Sequence, residues 1–407
     1  MTLDEVYGTN CFLAPRIWEE ASRWLTADLL AIEHSTAQWL PCAGRMPVVV
    51  HRGGLTRAGL SAMRDSGLTL PDTIVSYRTR DEYIDIVRRM MAEAGRAVTP
   101  YWSPEDVVPA AGMWIDPSLL RWLNNKASME QLVPPAALAR RARVSKNQLG
   151  RKLFWSTSLP TVIKVATDLP NGAGADVAIL HRRHRIPRVC RRLRDASELI
   201  LEEFLNISRN FGLLYAIGNN GEIRYLGGSE QICDRKGAYC GGLIDDSFPP
   251  PLEAVELGHQ IARNGAHLGY RGLAGFDIVI TRDERVLALD LNFRPVATTA
   301  QILLQDGLRK ARKFRVSRLA FCGFEGALEH ALSLCRPFIE AGWLILLSSF
   351  DPLEGGLGKG KALARFLILG GDRAEVESRE AVLQNLGFQI TGVSKKTGSY
   401  RFSADAR

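Results

Sequence analysis

The sequence predicts an α/β protein, and three observations support that prediction. The chain has 407 residues, more than one hydrophobic core usually organises, so we expect two to four domains. Its composition, with 46% hydrophobic and 24% charged residues, is typical of ordinary globular proteins. Short apolar segments of strand length alternate with segments whose apolar residues recur at helical spacing. No apolar run approaches the roughly 18 residues that a membrane span needs.

We expect three successive units, at residues 1–125, 126–310 and 311–407. The first contains a segment typical of a buried strand, at residues 46–50, and an amphipathic helix that ends at a glycine, at residues 81–95. Further strands are predicted at residues 162–165, 177–180, 211–217, 342–349 and 362–369, and residues 199–205 end the unit that precedes residue 211. A helix with a glycine cap is predicted at residues 375–387.

A β-hairpin within residues 276–291 carries the strongest functional signal. Two apolar segments flank a polar turn at residues 281–285. Each strand holds one carboxylate, Asp277 or Asp290, at a position where a packed strand prefers an apolar residue. Because side chains alternate between the two faces of a strand, Asn292 and then Arg294 would lie on the same face as Asp290.

This hairpin face predicts a metal and phosphate site. Buried carboxylates are costly without a partner, and Mg²⁺ prefers oxygen ligands and the oxygens of a phosphate. We therefore predict that Asp277, Asp290 and Asn292 bind Mg²⁺. The guanidinium of Arg294 suits the charge of a phosphoryl group in transfer. The alternative is a solvated hairpin face with ordinary surface charge.

A second signal precedes the hairpin by about a hundred residues. Lys164 lies within an apolar strand, where an ammonium group is costly unless it meets an anion. A glycine turn follows, in which Gly172 and Gly174 lack a Cβ and so allow backbone N–H groups to approach phosphate oxygens. With the hairpin, these residues predict a nucleotide site.

The order of these segments resembles the ATP-grasp superfamily. That family has two lysines, a glycine loop, an acidic hinge and a metal-binding hairpin that ends in an acid-x-Asn-x-Arg pattern. The corresponding segments here, within residues 124–294, are Asn125-Lys126, Pro160-Thr-Val-Ile-Lys164, Gly172 to Gly174, Glu202-Glu203-Phe204-Leu205, and the hairpin from Asp277 to Arg294. Asp290 is a departure, because Glu is commoner at that position.

The resemblance implies a fold and a role for each position. It implies a pre-ATP-grasp domain, a core whose two subdomains clasp ATP between sheets, with residues 155–205 as the mobile small subdomain, and a further C-terminal α/β domain. Lys126 and Lys164 would hold the α- and β-phosphates, and the glycine loop would close over them. The catalytic residues would be Arg294, at the acyl phosphate, and Lys164. Two Mg²⁺ would bridge the β- and γ-phosphate oxygens.

The same resemblance implies how the nucleoside is held. The hinge residues Glu202, Glu203, Phe204 and Leu205 would hold the adenine through backbone groups. In that family an acidic residue shortly after the hinge often binds the ribose hydroxyls, and Asn210 stands at the corresponding position here. Glu202 and Glu203 therefore stay open as ribose partners, and the alternative for both is a solvated position.

The implied activity is ATP-dependent ligation of a carboxylate to an amine through an acyl phosphate, with release of ADP and phosphate. The N-terminal unit and the strand-rich tail resemble the pheganomycin-type peptide ligases of natural-product biosynthesis. The partners would be a small-molecule carboxylate and an amine, each an amino acid or a peptide. Two alternatives stay open, a carboxylase-like enzyme of primary metabolism and a nucleotide-binding regulator without activity.

Composition also limits the cellular location and the kinds of partner that we expect. The seven cysteines are scattered without a CxxC pair, and the N-terminus lacks signal-peptide character, so we expect free thiols and a cytoplasmic protein. The net charge of +8 arises largely from basic clusters at residues 181–194 and 309–318. Neither cluster interleaves aromatic residues, so we expect solvated surfaces rather than nucleic-acid binding. A homodimer remains an open expectation.

Overall fold

The computed structural model describes residues 1–18, 24, 28–155, 158–169, 171, 174–234, 237–358 and 360–392, and these form three sheets with flanking helices. The prediction of an α/β fold is confirmed. All seven cysteines are free thiols, as expected. Among the described residues, no helix combines the length and the apolar character that crossing a bilayer would require.

The N-terminal sheet has four parallel strands in the order β3–β2–β1–β4. Its strands are β1 (Cys11–Leu13), β2 (Val48–His51), β3 (Ile74–Tyr77) and β4 (Arg96–Val98). The helices of this region are α1 (Leu3–Tyr7), α2 (Leu29–Ala37), α3 (Arg57–Asp65), α4 (Arg80–Glu93), α5 (Pro117–Leu123) and α6 (Met129–Leu132). The predicted strand at residues 46–50 and the predicted helix at residues 81–95 correspond to β2 and α4.

Local sequence explains why α4 forms where it does. The side chain of Thr79 accepts a hydrogen bond from the backbone N–H of Glu82, which caps the first turn. The helix buries an apolar stripe that includes Ile86 and Met90. Gly95 follows with φ of +96°, a conformation that a glycine adopts without strain.

The second sheet is antiparallel, in the order β5–β8–β6–β7. Its strands are β5 (Arg141–Ser145), β6 (Thr161–Ala166), β7 (Val177–Leu180) and β8 (Glu198–Glu203), and its helices are α7 (Lys146–Trp155) and α8 (Ile186–Arg192). Ile163 and Val165 belong to a core that includes residues of both helices. Because side chains alternate, Lys164 of β6 and Glu202 of β8 lie on the opposite face.

The third sheet has nine antiparallel strands among the described residues. They are β9 (Ile207–Ile217), β10 (Ile223–Cys233), β11 (Tyr239–Asp245), β12 (Gly272–Thr281), β13 (Val286–Asn292), β14 (Val316–Phe324), β15 (Leu344–Phe350), β16 (Ala362–Gly370) and β17 (Gln389–Ile390). The order is β13–β12–β9–β10–β11–β14–β16–β15, with β17 also paired to β14. The helices of this region are α9 (Leu252–His267), α10 (Thr299–Ala311), α11 (Leu328–Glu340) and α12 (Arg373–Asn385).

The C-terminal segment extends the sheet that contains the hairpin. Strand β14 pairs with β11, and Leu243 lies opposite Arg318. The residues predicted as an accessory domain therefore share a sheet with the core instead of building one of their own. The boundaries near residues 125 and 310, and the mobility of residues 155–205, stay predictions.

The two basic clusters differ in their surroundings. All seven arginines within residues 181–194 are exposed, as predicted for a solvated surface. Arg318 in the second cluster is buried, and its Nη2 donates a hydrogen bond to the carbonyl of Cys240 at 3.2 Å. The prediction of a solvated surface is therefore wrong for Arg318, because β14 lies inside the third sheet.

Candidate active site

The predicted hairpin is formed by β12 and β13, and it brings the two aspartates face to face. Asp277 lies directly opposite Asp290 in the strand register, and Gly275 lies opposite Asn292. The amide Nε2 of Gln231 donates a hydrogen bond to Asp277 Oδ1 at 2.7 Å. Burial raises the pKa of Asp277 to about 7, and the adjacent Asp290 carboxylate adds to the rise.

Asn292, the last residue of β13, and Arg294, two residues beyond it, continue this face. Asn292 is buried, and its Oδ1 accepts a hydrogen bond from Arg294 Nη2 at 2.5 Å. The Arg294 guanidinium lies over the ring of Tyr101, 4.4 Å from its centroid. The stacking leaves the edge of the guanidinium available to an anion. The four residues predicted from the hairpin thus lie together.

Lys126 lies between two carboxylates. Its Nζ is 2.7 Å from Asp176 Oδ2 and 3.2 Å from Asp290 Oδ1, and all but a few per cent of its side chain is buried. Burial disfavours the charged ammonium, but Asp290 and Asp176 more than offset this effect and raise the pKa of Lys126 above its usual value. Lys126 is therefore a fixed positive charge beside the hairpin.

Lys164 links the second sheet to the third. Its Nζ is 2.6 Å from Glu202 Oε2 and donates a hydrogen bond to the carbonyl of Leu289 at 2.7 Å. Glu202 also meets Arg141 Nη2 at 3.1 Å, so its carboxylate lies between two cations. The two lysines thus approach the hairpin from different elements.

The rest of the predicted hinge has mixed surroundings. Glu203 contacts Arg140 and Arg285. Burial opposes ionisation of the Glu203 carboxyl, but hydrogen bonds from these arginines outweigh that effect and hold its pKa below the usual value. Phe204 is 41% exposed, whereas Leu205 is buried against residues of the hairpin strands. The hinge therefore presents an apolar ring to solvent at the end of β8.

Asn210, the residue at the predicted ribose position, is connected to the hairpin through Gln231. It faces Val279 in the strand register, and its Nδ2 donates to Gln231 Oε1 at 3.0 Å. Through Gln231 it is two hydrogen bonds away from Asp277. Contact with a ribose stays a prediction, and support of Asp277 is what the geometry provides.

Only part of the glycine loop is described. Gly172 lies outside the described residues. Gly174 has φ of +74°, and no atom of the described residues lies within 4 Å of the point that a Cβ would occupy there. The preceding segment is held by the N-terminal region, because Tyr101 Oη donates to the carbonyl of Asn171 and Trp102 Nε1 to that of Asp168, each at 3.0 Å.

Two residues of this region, Asp176 and Gln231, were not predicted from the sequence. Asp176 is a buried acid between the glycine turn and β7, so the signal that identified Asp277, an acid in an apolar setting, applied to it as well. Gln231 gave no such signal, because polar residues are ordinary in a strand that is only half buried.

The oxygen atoms of this region fit Mg²⁺ bound together with a nucleotide. No three His, Cys, Asp or Glu side chains of the described residues form a preassembled metal cage. Two carboxylates and an amide oxygen on rigid strands suit an ion that keeps phosphate oxygens and waters in its coordination shell. Asp277, Asp290 and Asn292 therefore could hold the metal, with Lys126 and Lys164 facing the phosphates.

Two family models match the chain. The model for the ATP-grasp domain of L-aspartate–L-methionine ligase matches residues 139–292, and the model for the N-terminal domain of that ligase matches residues 2–121. Together they match well over half of the chain. The predicted membership in the ATP-grasp superfamily is confirmed.

Solved structures share the fold. They include N5-carboxyaminoimidazole synthetase from Staphylococcus aureus complexed with ADP (11% identity, TM-score 0.56, 83% of this chain and 90% of that chain). Biotin carboxylase from Campylobacter jejuni in a β-γ-ATP complex matches at 10% identity and TM-score 0.56, over 97% of this chain and 93% of that chain. Phosphoribosylamine–glycine ligase from Thermotoga maritima matches at 13% identity and TM-score 0.54, over 88% of this chain and 100% of that chain.

At such low identities the structural likeness concerns the fold alone, while the two family models concern the sequence itself. Because both models describe domains of one ligase and the fold agrees over most of the chain, this protein belongs to the ATP-grasp superfamily and is an ATP-dependent ligase that forms carbon–nitrogen bonds.

Proposed function

We propose that this ligase joins the carboxylate of one amino acid to the amine of another and releases ADP and phosphate. The name of the matched models suggests L-aspartate as the acid and L-methionine as the amine, and we adopt this pair as the first substrates to test. The observation that carries the proposal is the Asp277–Asp290 pair, with Lys126 fixed 3.2 Å from Asp290.

In the proposed mechanism, Lys126 and Lys164 bind the α- and β-phosphates. Both ammonium groups already meet carboxylates, so a phosphate oxygen would join or replace Asp176 and Glu202 as their partners. Two bound Mg²⁺ would offset the negative charge that develops on the phosphate oxygens during transfer. Asp277, Asp290 and Asn292 would hold these ions, with Gln231 orienting Asp277.

Arg294 would bind the acid and the γ-phosphoryl group together. An oxygen of the substrate carboxylate attacks the γ-phosphorus. The bond between this phosphorus and the oxygen that bridges the β- and γ-phosphates breaks, and ADP leaves. The amine then attacks the carbonyl carbon of the acyl phosphate, loses a proton and expels phosphate. Exclusion of water matters at this stage because water would hydrolyse the acyl phosphate, and the loop held by Tyr101 and Trp102 would serve that purpose.

We place this step in natural-product biosynthesis in the cytoplasm, and we propose that the enzyme acts as a homodimer. The test is ADP release with Mg²⁺ and a panel of amino-acid pairs, followed by mass spectrometry of the products. We expect ADP and a dipeptide only when an acid and an amine are both present. If no amino-acid pair stimulates ADP release or yields a dipeptide, the proposal is wrong.

A further inference from the structure

Arg141 of β5 connects the two lysines of the proposed nucleotide site. It lies directly opposite Glu202 in the strand register, and its Nη2 is 3.1 Å from Glu202 Oε1. The same Nη2 donates a hydrogen bond to the backbone carbonyl of Lys126 at 2.9 Å. Because Glu202 Oε2 is 2.6 Å from Lys164 Nζ, this one nitrogen reaches Lys126 directly and Lys164 through a single carboxylate.

Burial makes these contacts strong. The side chains of Arg141 and Glu202 are each 5% exposed and that of Lys164 is 8% exposed, so water and salt screen their charges little. The three side chains carry two positive charges and one negative charge, which leaves one positive charge in excess. A phosphate that approaches Lys164 therefore meets a group of side chains that is already positive.

The rest of the Arg141 guanidinium adds little to the fold. Its Nε and Nη1 are buried without a hydrogen-bond partner among the described residues. Glu130 Oε1 lies 3.8 Å from the Nε atom, beyond hydrogen-bond distance, and Glu130 also contacts Arg143. A buried arginine that leaves two of its three nitrogens unpaired gives up stability. The two contacts of Nη2 beside the nucleotide site explain its position better.

Arg141 matters most when Lys164 changes partners. In the proposed mechanism a phosphate oxygen joins or replaces Glu202 at Lys164. With Arg141 present, Glu202 keeps a cation when the lysine turns to the phosphate. Without Arg141, Lys164 would be the only cationic side chain of the described residues within 4 Å of Glu202. Phosphate would then have to displace a buried carboxylate and leave it unpaired, which is costly.

We propose that Arg141 is a positioning residue for nucleotide binding. It retains the Glu202 carboxylate, which frees Lys164 for the phosphates, and it holds the backbone of Lys126. The proposal rests on the nucleotide site of the proposed function and adds a residue that itself touches no substrate. It also assigns the Glu202 side chain to Arg141 and Lys164 instead of the ribose, because each of its two oxygens already meets a cation.

The first test measures binding of ADP with Mg²⁺, and of adenosine, by calorimetry in wild type and Arg141→Gln. We expect the affinity for ADP to fall about tenfold or more, as loss of a hydrogen-bonded charge predicts. The affinity for adenosine should stay unchanged, because adenosine lacks the phosphates that Lys126 and Lys164 would bind. Equal losses for ADP and adenosine would mean that the variant distorts the hinge, and would overturn the assignment.

Glu202→Gln gives the second test, because it removes the carboxylate that competes with phosphate for Lys164. In the double variant with Arg141→Gln we expect most of the lost ADP affinity to return. Glu202→Gln alone should bind ADP more tightly than wild type. If Arg141 only stabilised the fold, the second substitution would add to the loss instead of reversing it, so a double variant without recovery would contradict the proposal.

Arg143→Gln is the matched control on the same strand. Arg143 lies on the same face of β5, and its Nη2 donates to the backbone carbonyl of Ala127 at 2.8 Å. It contacts Glu130 and Glu198, and neither of the two lysines. Because its side chain is 42% exposed, we expect an ADP affinity within about threefold of wild type. A loss as large as that of Arg141→Gln would show that backbone anchoring alone accounts for both arginines, against the proposal.

Arg141→Lys is the second variant, in case Arg141→Gln does not fold. It keeps a positive charge but lacks the planar fork of donors, so it should lose less ADP affinity than Arg141→Gln. Glu202→Gln should reverse this loss as well. A loss that Glu202→Gln leaves unchanged would contradict the proposal.

Nucleotide binding is measured without amino acids, so the two proposals can fail separately. If no amino-acid pair yields a dipeptide but Arg141→Gln loses ADP affinity that Glu202→Gln restores, the ligase proposal fails and the assignment of Arg141 stands. If wild type forms a dipeptide but Arg141→Gln binds ADP as wild type does, the assignment of Arg141 fails and the ligase proposal stands.

Discussion

Two pairs of acidic residues lie on facing sheets of this protein, and their surroundings differ. Glu202 and Glu203 end β8, and each has two basic partners, Lys164 and Arg141 for the first and Arg140 and Arg285 for the second. On the hairpin, no basic side chain of the described residues lies within 4 Å of Asp277, whose polar side-chain partner is the amide of Gln231.

The difference shows how one kind of side chain serves two purposes. The glutamates are neutralised within the protein and connect strands, so they need no further ion. The aspartates face each other, and the ammonium of Lys126 contacts Asp290 but is shared with Asp176. Burial together with the neighbouring Asp290 carboxylate raises the pKa of Asp277 to about 7. A pair in this state favours a proton or a further cation, and we infer that this cation is the metal that accompanies ATP.

The largest effect should come from Asp290→Asn, which keeps the shape of the side chain but removes a charged ligand. We expect turnover to fall by roughly a hundredfold or more, because the phosphoryl group loses electrostatic stabilisation in the transition state. The measurement is ADP release as Mg²⁺ is titrated. Asp283→Asn in the turn of the same hairpin is the control, since Asp283 is exposed and pairs with Arg285. Wild-type turnover in Asp290→Asn would refute the metal assignment.

The second-largest effect should distinguish the two lysines by how much each stabilises the fold. Lys126→Met removes a partner of buried Asp176 and should lower the free energy of unfolding by about 3–5 kcal/mol. Lys164→Met should cost less, because Glu202 keeps Arg141. Both variants should weaken ATP binding, since each ammonium would meet a phosphate. Denaturant unfolding and calorimetry measure the two quantities, and unchanged ATP affinity in both variants would contradict a nucleotide site here.

A smaller effect concerns pH. The pKa of Asp277 is about 7 in the folded protein and has its ordinary value, 3.8, in the unfolded chain. The folded state therefore holds the extra proton between these values, so the metal-free protein should lose stability as pH rises from about 4 to about 7. Asp277→Asn should remove this part of the pH dependence. Denaturant unfolding at several pH values without Mg²⁺ checks this, and identical pH profiles for wild type and variant would contradict it.

The smallest effect should come from Glu203→Gln. The basic partners of Glu203 are partly or mostly exposed, so the loss should be below about 1 kcal/mol in the free energy of unfolding. ATP affinity should change little, because we assign the contact with adenine to the backbone of the hinge. A loss of ATP affinity as large as that in Lys126→Met would mean that the glutamate itself binds the nucleotide.

Much of the fold and half of the site follow from local sequence. The hairpin, the lysine strand and helix α4 were predictable because apolar periodicity and out-of-place charges are visible within a dozen residues. The position of Asn210 was not, because it depends on a hydrogen bond to Gln231, which lies 21 residues away on another strand. The Lys126–Asp176 pair likewise joins residues that are distant in sequence.

Dependence on contacts between residues distant in sequence also explains why the arrangement of the C-terminal segment was not predicted. Strands β15 and β16 and helix α12 were predicted, but β14 and its pairing with β11 were not, since no local pattern encodes which edge of a sheet a later strand joins. A cleft beside Arg294 was also beyond sequence reasoning. It brings together Trp102, Arg121 and Leu169 from segments whose contact only the fold establishes.

Transfer of the γ-phosphoryl group to a substrate carboxylate is the central claim, and isotope transfer tests it most directly. The enzyme would be incubated with ATP, Mg²⁺, L-methionine and L-aspartate labelled with ¹⁸O in its carboxylates, and the nucleotide, phosphate and dipeptide would be analysed by mass spectrometry. We predict ADP, a dipeptide, and phosphate that carries one ¹⁸O atom from the acid. Release of AMP and pyrophosphate, or of phosphate without label, would contradict the acyl-phosphate mechanism.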